Sequence, residues 1–338
     1  MAKSASKKRA SFKLPTQKRN SRKTTKRASK PVQLRRRGIV KVHPDVIGSL
    51  FAAKPAGGVI APGFKRNTRL NLKFMGGRTI PNLAFKSFYL GGAAWSDSDI
   101  QNIDHALSGA MSDPHLNNVM LQYFKGAQTI STKFLGSTKS PGTVSPTFTR
   151  DSINSTLEAL IPSLSDADLT NTVACLFLPP GTILTDDASG GVGRSKLKGN
   201  GDEDSSKQGL GGYHGSCHIG DKTVYFAVGV YSQFVGQAPN GIPVWPDPWK
   251  NVVATFYHEL NEARTDPDVE EAERTNNNRL LGWYANVRGG GEIGDIPMNE
   301  AGSQLSLVMV EVPLVSGGTA PIQLMWSNAV GGPEGPFT

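Results

Sequence analysis

Cysteine is scarce: Cys175 and Cys217 are the only two in 338 residues, which allows one disulfide at most and excludes a scaffold built on them. No stretch reaches the roughly 20 consecutive apolar residues of a membrane-spanning helix. The chain does not open on a secretory signal. "RRRGIVKV" followed by "VIGSLFAAKPA" resembles a twin-arginine export signal, but Pro44, Asp45 and Lys54 interrupt its apolar part. This favours the cytoplasm over export by that route. The first 40 residues also lack acid and nearly lack aromatics: they hold no Asp or Glu, only Phe12 as an aromatic, and 15 of the 37 Lys and Arg. The remaining 22 bases face all 28 acids, so a body of net charge −6 carries a strongly basic arm.

Such an arm buries too little apolar surface to offset its ordering entropy, and its like charges repel, so residues 1–40 are expected to be disordered until they meet an anion. Lys7, Lys8, Arg9, Lys18, Arg19, Arg35, Arg36 and Arg37 are the candidate contacts to nucleic acid or another polyanion. That binding would be salt-sensitive and sequence-independent, without base stacking. Residues 41–67 are rich in Gly and Pro and read as a connector. With 38% hydrophobic residues the rest of the chain can build a sizeable core.

From residue 68 onward, alternation in "TRLNLKFMGG" and "LAFKSFYLGGAAW" predicts two strands. "SDSDIQNIDHALSGAMSD" predicts a helix capped by Ser96 or Ser98, and "DSINSTLEALI" another, starting at Asp151 or Ser152. "NTVACLFLPPG" and "KTVYFAVGVYS" read as strands, the polar 186–212 segment as a long loop, and "QLSLVMVEVPL" with "APIQLMWSN" as a hairpin across "VSGGT". Strands and helices mix without strict alternation. The fold class expected is α+β (mixed α/β), one domain over 68–338 with a mixed central sheet flanked by helices.

"DPWKNVVATFYHELNEART" predicts a helix with Asp247 near its cap and Pro248 in its first turn. Within it, His258 and Glu262 lie four apart and share a face, so one ion fits between them, while Glu259 is turned aside where it can act on a water. This is the HExxH metallohydrolase helix with Glu in place of the second His. The apolar "NVVATFY" before it marks a buried helix, where a charged cluster is costly unless paired or metal-bound. A third ligand comes from Asp268, just past the helix end that Pro267 imposes near Asp266, or from Glu292 of "GGGEIGD", which is preferred. The expected site is thus His258, Glu262 and Glu292 on a divalent cation, with Glu259 as catalytic base and Asp266, Asp268, Asp295 and His214 as alternative ligands or supports. Zinc is the first candidate, and the carboxylates also suit calcium or manganese. The substrate class is a peptide or a carbohydrate.

Tyr213, His214, Cys217 and His218 are read chiefly as a Gly-bounded turn before a strand, with His214 able to line the cleft of His258. His43, His105 and His115 are read as structural or surface residues.

"GLGGYHGSCHIGDKTVYFAVGVYS", with "FKSFYLGGAAWSDSDIQNID", "HELNEARTDPD", "GWYANVRGGGEIGD" and "PIQLMWSNAVGG", resembles the EXORDIUM or phosphate-induced protein family, its bacterial branch above all, over roughly residues 80–335. The resemblance implies a divergent zinc-peptidase, zincin-like helix and places His258, Glu259, Glu262, Thr265, Asp266, Glu292 and Asp295 in the family pattern. Asp268 falls outside it, which favours Glu292 or Asp295 as the distant ligand or support. Two departures stand out. Secreted members begin with a signal peptide where this chain has its basic arm, and "GDIP" stands where a Cys follows the Asp.

Overall fold

The computed structural model describes residues 58–124, 126–127, 129–164, 167–186, 205–287 and 290–335. The basic arm, most of the connector, His43 and the middle of the 186–212 segment lie outside the described residues.

In chain order the strands are β1 (Lys73–Phe74), β2 (Asn82–Tyr89), β3 (Ser131–Lys139), β4 (Thr147–Phe148), β5 (Thr172–Phe177), β6 (Ile183–Leu184), β7 (Gly212–Ile219), β8 (Lys222–Gly229), β9 (Gln233–Val235), β10 (Ala238–Asn240), β11 (Trp283–Tyr284), β12 (Met309–Pro313), β13 (Thr319–Gln323), β14 (Met325–Ser327) and β15 (Gly332–Glu334). The helices are α1 (Asp97–Ser112), α2 (Pro114–Met120), α3 (Arg150–Leu160), α4 (Pro248–Thr265), α5 (Val269–Thr275) and α6 (Asp295–Ala301).

Five strands form the central sheet in the order β3-β2-β5-β8-β7. The first four run parallel and β7 closes one edge antiparallel to β8, giving the mixed sheet that the sequence predicts. Strand β5 is buried along its whole length, as a strand covered on both faces must be. Val173, Cys175 and Phe177 point into one core with α1 and α4, and Ala174 and Leu176 point into a second core with α3. The two cysteines are free and belong to opposite cores. Phe177 stacks on Phe256 of α4 with ring centroids 3.8 Å apart, which fixes that helix against the sheet.

Helix α4 is buried on almost every side. One flank meets the sheet; another carries Ala254 against Ala301, Val308 and Met309, and β13 also packs along it. Such a helix cannot point its polar side chains into solvent, so they must satisfy one another.

Several boundaries differ from expectation. In "TRLNLKFMGG" only β1 is strand. Thr68–Leu70 is a 3-10 turn capped by the Asn67 side chain, and the Leu72 N–H and C=O bond the side-chain amide of Asn328 at 2.9 and 2.8 Å. A side chain thus replaces the strand partner. Helix α1 starts at the expected Ser96 cap. Helix α3 is capped two residues before Asp151, by Thr149 in a reciprocal pair with Ser152. The segment from Tyr213 to His218 is not a turn: it lies within β7, and its register pairs His214 with Ala227. At the other end of the chain, "APIQLMWSN" divides into β13 and β14. Ile60 bridges to Glu334, so the chain joins the body from that residue on. Among the described residues no helix is long and apolar enough to cross a membrane.

Candidate metal centre

Helix α4 delivers His258, Glu259 and Glu262 to the region between the sheet edge and the C-terminal strands. Two further segments converge there. Strand β7 brings His214, the turn before α6 brings Glu292, and the first residue of α6 is Asp295. Among the described residues two groups could hold a metal ion: His214, Glu262 and Glu292, all buried, and His258, Glu262 and Asp295, which is partly open. Glu262 is common to both. The expected trio of His258, Glu262 and Glu292 is therefore redistributed, with Glu292 grouped with His214, and Asp295 with His258.

Glu262 is held firmly. Its Oε1 accepts from the Gly294 and Asp295 N–H groups at 2.9 and 3.1 Å, and Oε2 lies 2.9 Å from His258 Nε2 and 3.7 Å from His214 Nδ1. Burial alone would raise its pKa, but the two histidines and the Gly294 N–H outweigh that and hold the carboxyl below its usual range.

His258 is oriented by Gln323 of β13. The Gln323 amide nitrogen donates to the Gly294 carbonyl at 2.7 Å, so its Oε1 faces His258 Nδ1, also at 2.7 Å. Nδ1 must then carry a proton, which leaves Nε2, turned toward Glu262, as the atom that could ligate a cation. Gly294 is small of necessity, since a Cβ there would sit 2.5 Å from His258 Nδ1.

His214 lies between two acceptors: Glu259 Oε2 is 3.2 Å from Nδ1, and the Asp266 carbonyl is 3.1 Å from Nε2. Burial disfavours its cation, yet Glu259 and Glu262 prevail and push its pKa up to about 9. His258 is likewise raised against its burial, by Glu262 and Glu259. Desolvation pushes Asp295 and Asp266 up to about 8 and raises Glu292 well above a normal carboxyl, with Glu262 and Asp266 adding to it. Glu292 Oε1 and Asp266 Oδ2 are buried without a hydrogen-bond partner. The site therefore holds more buried carboxylate than its two histidines can balance, the condition that protons or a bound cation relieve.

The two groups differ in access. A cleft of about 560 Å³ is lined by His258, Glu259, Asp295, Gln323 and Thr255, together with the backbone of Gly209–Gly212 and apolar walls that include Phe234, Ile242, Val244 and Met309. His214, Glu262 and Glu292 are absent from that lining and lie behind it. Glu259 Oε1 is 4.0 Å from His258 Nε2, beside the open group.

Asp268 is elsewhere: it stands just before α5 and its side chain accepts from Ser216 Oγ at 2.8 Å rather than capping that helix. Asp266 reaches the site through its main-chain carbonyl, while its Oδ1 accepts from the Gly282 N–H at 2.8 Å. Cys217 packs in the second core, and burial raises its pKa to about 11, the opposite of an activated thiolate. Thr255, one helical turn before Glu259, and Gln323 are site residues that motif reasoning passes over. Thr255 Oγ1 is buried without a partner and faces the cleft.

Comparison of the chain with protein-family models, with curated proteins and with solved structures finds no match.

Proposed function

We propose that the chain is a divalent-cation-dependent hydrolase of peptide-like substrates. In this reading His258 Nε2, Glu262 and Asp295 hold the cation at the floor of the cleft and Glu259 is the general base. The observation that carries it is the open group itself: His258 and Asp295 face a cleft, Glu262 joins them from behind, and the Glu259 carboxylate lies alongside. A catalytic centre needs an open position for water or substrate, which a closed structural one lacks. A cation held there supplies a polarised carbonyl and a more acidic water. Glu259, anchored by His214 at 3.2 Å, takes the proton and returns it to the leaving amine. Gln323 keeps the His258 ring in register, and Thr255 Oγ1 offers a hydroxyl to the bound substrate.

One histidine with two carboxylates admits zinc first and calcium as the harder alternative. Apolar walls with glycines along the lining suit an extended peptide carrying an apolar side chain better than a carbohydrate, whose many hydroxyls would find few partners there. The EXORDIUM resemblance supports the same roles for His258, Glu259 and Glu262. The basic residues 1–40 are read as a tether to nucleic acid or another polyanion, attached to this body.

The test is metal content by elemental mass spectrometry on protein purified without chelator or affinity metal, beside His258→Ala/Glu262→Ala and Glu259→Gln, followed by a peptide-library cleavage screen. The expected result is bound cation in the wild type and in Glu259→Gln, none in the cleft of the double variant, and cleavage only by the wild type. Full cleavage by Glu259→Gln would overturn the assignment of the base.

A further inference from the structure

We propose that the site binds two divalent cations at once, the second held behind the cleft by His214 Nε2, the Glu292 carboxylate and the Asp266 main-chain carbonyl, with Glu262 between the two. The inference rests on the preceding reading for the outer ion and adds the inner one.

Geometry is the first support. From His214 Nε2, Glu292 Oε1 lies at 3.4 Å and the Asp266 carbonyl at 3.1 Å. Those are the separations of neighbouring ligands around one ion whose ligand distances are about 2.0–2.2 Å. The second support is independent. Glu292 is 8% exposed and its Oε1 accepts no hydrogen bond, although His214 is close. A carboxylate oxygen in that state is costly unless something positive meets it.

Charge gives the third. Glu259, Glu262, Glu292 and Asp295 are four carboxylates within 4.0 Å of the two histidines. With neutral imidazoles, one dication leaves two uncompensated charges in a buried site, and a second leaves none. An unpaired buried charge is costly, and the second ion removes what the first leaves.

The two ions would differ in role. The inner one is shut off from the cleft, with ligands on three sides, as structural ions are. Binding Nε2 keeps the remaining imidazole proton on Nδ1, where it faces Glu259 Oε2 at 3.2 Å. The inner ion would then fix the His214 ring and, through it, the carboxylate of the base. His214 is thus a positioning residue rather than a catalytic one.

The test uses the full chain, stripped and then dialysed against Mn²⁺, with equivalents counted by elemental mass spectrometry and the spin state read by electron paramagnetic resonance. Two equivalents and an exchange-coupled manganese pair are expected in the wild type. Glu292→Gln, nearly isosteric, should keep one uncoupled equivalent, and His258→Asn should also keep one; circular dichroism checks that each variant folds. If the wild type holds a single equivalent that His258→Asn abolishes and Glu292→Gln leaves, the inner ion is refuted and the hydrolase reading stands. A single equivalent lost in Glu292→Gln and kept in His258→Asn refutes the two-ion centre and the cleft assignment with it. No bound manganese refutes both.

Discussion

Replacing Gln323 by leucine tests whether a strand residue far from the helix motif governs the ligand on that helix. Gln323 is 3% exposed, and its amide joins His258 Nδ1 to the Gly294 carbonyl at 2.7 Å on each side. Leucine is close in volume but leaves a buried N–H and a buried C=O without those partners. Each such loss costs about 1–3 kcal/mol, so the metal-free protein should be destabilised by about 2–6 kcal/mol. The ring also loses the acceptor that sets its tautomer, a change that typically weakens cation binding about 10–100-fold. Chemical denaturation of the stripped protein and competition against a chromophoric chelator measure the two effects separately. Gln323→Glu separates them further, because it keeps an acceptor for Nδ1 and loses the donor to Gly294. It should therefore bind the cation nearly as the wild type does while remaining destabilised. If Gln323→Leu binds the cation as tightly as the wild type, Gln323 does not orient His258.

The metal-free protein should lose stability as pH rises from 6 to 9. Asp266 and Asp295 are raised from 3.8 to about 8 and His214 from 6.5 to about 9, so the folded state keeps protons that the unfolded chain has released, and their contribution is lost as pH passes those folded values. Glu262, which is lowered, acts in the opposite sense and only below the ordinary carboxylate range. A bound cation replaces those protons, so the melting-temperature gap between loaded and stripped protein should widen with pH; a gap that stays constant would contradict this. Gly294→Ala places a Cβ 2.5 Å from His258 Nδ1 and should cost about 1–3 kcal/mol, with weakened cation binding; an unchanged melting temperature and affinity would contradict it. Deleting residues 1–40 should abolish salt-dependent DNA binding, measured by fluorescence anisotropy across ionic strengths, and leave the melting temperature unchanged.

What the sequence made legible was mostly local. Ser96 and the apolar spacing after it mark α1, and His258, Glu259 and Glu262 can be placed because helical spacing alone puts them together. His214 and Gln323 are different. They stand 45 and 65 residues from their partners on α4, and strand pairing sets their positions, which no short-range pattern encodes. The choice between Glu292 and Asp295 as partner of His258 depended on the turn before α6, where Gly294 lets the chain approach the ring. "TRLNLKFMGG" misled for a related reason: its alternation is real, but the Asn328 side chain, 256 residues away from Leu72, takes the hydrogen bonds that a neighbouring strand would have made.

Placing the ligands on a helix buried all round also limits how such a chain can change over generations. Losing one acid from α4 leaves its histidine neighbours without their partner in the interior, so single substitutions are selected against whatever the cluster does. A descendant that gave up the cluster would have to exchange several of His214, His258, Glu259, Glu262, Glu292 and Asp295 together, for apolar residues or for a lysine that neutralises those left. Related chains should therefore show the whole constellation either kept or rewritten, with few half-converted intermediates.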